Sequence, residues 1–131
     1  MDNHHKYLFA TSHFSLLSAI YAYNKHNHLW IVPAGVYVNS INYWRNPTMG
    51  LRRNIDIGYA LCGLVYQSLV AYSFPVFPKL YFTLITLSVA AYPISYLFYW
   101  RKKYITSTFT HSLIHFFGNV ANIVLYQNMY Y

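Results

Sequence analysis

Two histidines four residues apart, His111 and His115 in the run HSLIH, have the most evident chemistry in this chain. On a helix, residues i and i+4 leave the same face. Two imidazoles there can grip one metal ion, because a neutral ring nitrogen is a good zinc ligand. The same spacing has a plainer use, as polar glue between neighbouring helices of an apolar bundle. Asn119 continues the stripe and Asn122 lies close to it. Asp56 is the second candidate. It is one of only two acids in the chain and stands at the head of a long apolar run, behind Arg52 and Arg53. A carboxylate in that position can have a functional role. It can equally be a favourable charge at a helix N-terminus, or the partner of an adjacent arginine. Ser40 and Asn39, shortly before it, and His13, near the start, complete the set. Each of these also has a structural reading, as a hydrogen-bonded interior residue.

The elements that must position these residues follow from composition. The chain has 131 residues, enough for one domain; 56% are hydrophobic and only 8% are charged. A soluble domain carries about 25% charged residues, so this chain lacks the means to clothe a globule in water, and lipid is the expected solvent. The net charge of +7 then reads as membrane orientation. No Lys/Arg stripe runs along a helix as a nucleic-acid binder would need, so no nucleic-acid partner is expected. Cys62 is the only cysteine, which excludes an intramolecular disulfide and a zinc ribbon. A phosphate-binding glycine loop, a GxSxG elbow and paired carboxylates are all missing from the sequence.

Five apolar stretches, about 7–23, 29–44, 55–74, 80–100 and 105–126, approach the roughly 17–25 residues of a spanning helix. Polar or proline-containing breaks separate them: Asn24–His28, Arg45–Asn54 with Pro47 and Gly50, Pro75–Lys79, and the basic run Arg101–Lys103. The first stretch is expected to stay as a span; Ser12, His13, Ser15 and Ser18 make it a poor signal-peptide core. With five spans, Lys6, Arg45, Arg52, Arg53, Arg101, Lys102 and Lys103 fall on one side, and Lys25 and Lys79 on the other. The positive-inside rule makes the first side cytoplasmic. The expected fold is therefore all-α: a single polytopic transmembrane helical bundle, N-terminus cytoplasmic and C-terminus outside. At 1.5 Å per residue, His13, Asn39, Ser40, Asp56, His111 and His115 all lie within roughly 3–15 Å of the cytoplasmic boundary. Ionisable residues at that depth face a bundle interior.

Ser40-x-x-Tyr43, Arg53-x-x-Asp56 and His111-x-x-x-His115, in that order, resemble the motifs of the membrane hydrolase superfamily of hemolysin III, the progestin/adipoQ receptors and the alkaline ceramidases. The resemblance covers about a quarter of the chain. It implies a zinc ion held by histidines His111 and His115, with Asp56 acting on the metal-bound water and Ser40 beside it, and hydrolysis of a lipid amide or a related bond. Zinc lowers the pKa of its water to about 7 and polarises a carbonyl. Trp44 stands where that family has its first histidine, and the family has seven spans where five are read here. His13 is at a depth suited to replacing the missing ligand. Three functions follow: a zinc-dependent lipid hydrolase, a non-enzymatic membrane protein whose polar layer serves packing or partner binding, and a small pore lined by the His/Asn stripe.

Overall fold

The computed structural model describes residues 3–25, 27–46, 50–74 and 78–128. His26, Pro47 and Pro75 lie outside the described residues. The chain runs α1 (Asn3–Thr11), α2 (Phe14–Asn24), a short 3-10 turn (His28–Trp30), α3 (Ile31–Trp44), α4 (Leu51–Tyr72), α5 (Lys79–Trp100) and α6 (Tyr104–Asn128). No strand occurs among the described residues. Two of these helices, α4 and α5, are long and apolar enough to cross a membrane.

The first expected span is folded as two helices with a kink between them. Ser12 Oγ donates to the Leu8 carbonyl at 2.8 Å, and His13 Nδ1 to those of Phe9 and Ala10 at 3.1 and 3.2 Å. At the same place the backbone tightens, with His13 N bonding Ala10 O and Ser15 N bonding Ser12 O. Side chains that bond back to the helix carbonyls bend it there. The second span opens with the 3-10 turn, started by Asn27 Oδ1 accepting from Leu29 N at 2.9 Å, and its α-helix begins two residues after the expected boundary.

α4 starts four residues before the expected boundary, at Leu51, after Gly50 with φ of 136°. An L side chain is strained at that angle and glycine is not. The earlier start puts Asp56 beyond the first turn of the helix, so the helix-end charge expected to hold it is weakened, since that effect falls off within one turn. α5 ends with Lys103 N bonding Phe98 O and Lys102 N bonding Tyr99 O, while Lys102 takes φ of 60°. This is a Schellman-type ending with lysine at the position where glycine is preferred.

α5 and α6 form the tightest pair, stitched by Ser107 Oγ to Ser95 O at 2.7 Å and Ser88 Oγ to Ile114 O at 2.9 Å. α3 packs against α4 through small residues: a Cβ on Gly35 would strike the Tyr59 ring, and Tyr59 OH donates to Ile31 O at 2.8 Å. The closely packed core (Ala22, Leu29, Ala71, Tyr81, Ala121, Leu125 and Tyr126) sits at one end of the bundle. The other end, where α3, α4, α5 and α6 bring their remaining polar residues, is hollow.

Candidate functional site

A cavity of about 1200 Å³ occupies the hollow end. Ser40 comes from the last turns of α3, Asp56 from the second turn of α4, and His111 and His115 from the first half of α6. All four line this one cavity, as do Tyr43, Trp44 and Arg53. Ser40 Oγ donates to Asp56 Oδ1 at 2.8 Å, joining α3 to α4. Ser40 is 3% exposed and Asp56 half-buried, so the bond is partly shielded from solvent. Arg53 lies against the Tyr43 hydroxyl, and Arg52 donates to the backbone carbonyls of Asn42 and Asn46.

His111 and His115 stack one turn apart on α6, ring centroids 5.6 Å from each other. Trp44 meets His111 edge to face at 5.4 Å. The Nε2 atom of His115 is buried with no hydrogen-bond partner among the described residues. A buried nitrogen without a partner costs free energy, so it marks the place where a ligand atom, a water or an ion would be most favourable. Below it, Asn119 is tied on every side: its Nδ2 donates to His115 O at 2.7 Å and to Ser15 Oγ at 3.4 Å, and its Oδ1 accepts from Ser18 Oγ at 2.6 Å. The floor of the cavity is an amide pair, Gln67 Nε2 donating to Asn122 Oδ1 at 2.8 Å, while Tyr126 OH donates to Gln67 Oε1 at 2.5 Å.

Ser40, Asp56, His111 and His115 are thus brought together. His13 is not. It is exposed at the α1–α2 kink, between the rings of Phe9 and Tyr37, and does not line the cavity. Asn39 bonds its own helix at Gly35 O. Among the described residues no three histidine, cysteine or carboxylate side chains converge as a metal-ion site. The orphaned His115 nitrogen beside His111 supplies two donors of the kind zinc takes, but Trp44 fills the place of the third and His13 is elsewhere. The side chains as arranged do not complete the ligand set implied by the resemblance.

Two groups carry little signal in the sequence alone. Gln67 is a lone amide in an apolar span, and such a residue usually has a partner inside the bundle. Tyr92, Tyr96 and Tyr99 are spaced i, i+4, i+7, one helix face, and all three line the cavity. Comparison with protein-family models, with curated proteins and with solved structures finds no match to this chain.

Proposed function

We propose that the protein is a multi-pass integral membrane protein of about five spans, and that its cavity takes in a membrane lipid and holds the lipid's polar group against Ser40, Asp56, His111 and His115. One observation carries the reading: four polar residues from three distant segments line a single cavity whose walls are mostly apolar surface, Val36, Ile57, Leu64 and Ile114 among them, with the Gln67–Asn122 pair at its floor. Binding sites for small amphiphiles are of this kind, mostly apolar with a few placed polar groups.

The distribution of residue types supports a hydrocarbon solvent. The buried polar residues include Ser12, Ser15, Ser18, Ser40, Ser88, Ser95, Gln67 and Asn119, while Val65, Leu69, Leu87, Ile94, Leu97, Ile105 and Phe109 are exposed. Small and polar residues inside with large apolar residues outside is the pattern of helices packed in lipid. The seven-to-two split of Lys and Arg expected for five spans favours a polar layer in the cytoplasmic half of the bilayer by the positive-inside rule.

The test is lipid content. Protein purified in mild detergent is washed, extracted and analysed by mass spectrometry beside Ala60→Trp, which adds bulk to the cavity wall. About one lipid per chain, lost in the variant, is expected for a single site of this kind. Lipid in no fixed ratio, and unchanged in Ala60→Trp, contradicts the reading.

A second reading, a zinc-dependent hydrolase of a lipid amide or related bond, is favoured by the unpartnered Nε2 of His115 beside His111 in a cavity that Asp56 also lines. Elemental analysis of tag-free protein decides it. About one zinc per chain, absent from the His111→Ala/His115→Ala double variant, supports it; no zinc after chelator-free purification rejects it.

A further inference from the structure

The lipid-binding end of the cavity has an aromatic wall that neither the polar layer nor the packing requires. From Trp44 the rings follow one another in contact: Trp44 to His111 at 5.4 Å, His111 to Tyr92 at 6.4 Å, Tyr92 to Tyr96 at 6.2 Å, Tyr96 to Tyr99 at 6.5 Å and Tyr99 to Tyr104 at 5.4 Å. The six rings come from α3, α5 and α6, and every one of them lines the cavity. Arg53 lines it as well, against the Tyr43 hydroxyl, with the Asp56 carboxylate on the next turn of the same helix. A cation, an anion and a bank of ring faces therefore share one compartment.

We infer that this compartment recognises a phosphocholine headgroup, so that the lipid taken in is a choline phospholipid; the inference rests on the lipid-binding reading above. A ring face attracts a cation, and a quaternary ammonium is the cation that aromatic surfaces recognise best. It carries charge without hydrogen-bond donors, so leaving water costs it less than it costs a primary ammonium, whose three N–H groups each need an acceptor. The basic end of the chain would repel a simple cation. A zwitterion resolves this: its phosphate meets Arg53 as a charge-assisted partner, and its trimethylammonium lies on the tyrosines of α5.

The experiment compares three lysolipids with the same acyl chain, carrying phosphocholine, phosphoethanolamine or bare phosphate, bound to the full chain in detergent and measured by native mass spectrometry. The phosphocholine lipid is expected to bind about tenfold more tightly than the phosphoethanolamine lipid. Tyr92→Leu/Tyr96→Leu should bring the two within about twofold, while Tyr92→Phe/Tyr96→Phe, which keeps the ring faces, should retain most of the preference. Arg53→Gln should weaken both lipids and leave their ratio intact. Equal affinities in the wild type, tightest binding of the bare phosphate lipid, or a preference indifferent to the leucine variant overturns the headgroup assignment and leaves the lipid cavity standing. Absence of binding by all three overturns both.

Discussion

Asp56 shows how a single residue is decided by its neighbours. In sequence it reads equally as a helix-end charge, an arginine partner or a functional carboxylate. The earlier start of α4 moves it past the first turn, and its oxygen accepts from Ser40, sixteen residues back, at 2.8 Å. Removing one partner of an interior hydrogen bond costs about 1–3 kcal/mol, so Ser40→Ala is expected to lower the unfolding midpoint in detergent, and Asp56→Leu combined with Ser40→Ala to cost less than the two single changes added together. Full additivity would mean that the bond is not made. At the other end of α5, Lys102 holds a left-handed backbone angle. Lys102→Gly should raise stability by about 0.5–1 kcal/mol in the same unfolding measurement; a loss would mean that the lysine charge outweighs the backbone strain. The Ser40–Asp56 pairing was partly legible in the sequence, because both residues fall at one depth. The orphaned nitrogen of His115 was not, since a missing partner depends on what every surrounding helix places nearby.

Among the elements, α6 organises the interior. His111, His115, Asn119, Asn122 and Tyr126 form one stripe along it, with spacings of four, four, three and four, and the last three bond or share a bond with α2 or α4. The i, i+4 spacing made the upper part of the stripe legible, and its partners on α2, Ser15 and Ser18, are themselves one turn apart. Asn119→Leu should destabilise the bundle by about 1–2 kcal/mol through the loss of the Ser18 and Ser15 links, seen as a lower midpoint; no change would make the contacts energetically idle. The boundaries of α4, α5 and α6 follow the apolar runs to within a few residues, because each run is long enough for a helix that satisfies its own backbone groups. The first span departs from expectation, and the reason lies in side chains: Ser12 and His13 bond backward onto carbonyls that a straight helix would keep within its own ladder. The aromatic wall escaped notice because tyrosine is abundant throughout, sixteen residues in all, and an interfacial belt explains any one of them.

For the whole molecule, the central physical fact is the placement of residue types: beside a small apolar core the interior is rich in serines and amides, while many large apolar residues are exposed. In water that arrangement would aggregate; in lipid it is the favourable one. The topology it requires can be read with the protein's own chemistry. Cys62 is the sole cysteine, so in a Cys62→Ser background Lys25→Cys or Lys79→Cys should react with an impermeant thiol reagent from outside, and Arg45→Cys or Lys102→Cys only after the membrane is opened. The reverse pattern would invert the orientation. The most direct test of the account as a whole is photo-crosslinking with a phospholipid carrying a diazirine at mid-chain, followed by mapping of the labelled peptides. Label on the inner walls, at Leu64 of α4 and Ile114 of α6, that disappears in Ala60→Trp is the predicted result. Label confined to outward residues such as Val65, Leu69 and Leu87 would mean that lipid surrounds the bundle without entering it, and would contradict the account.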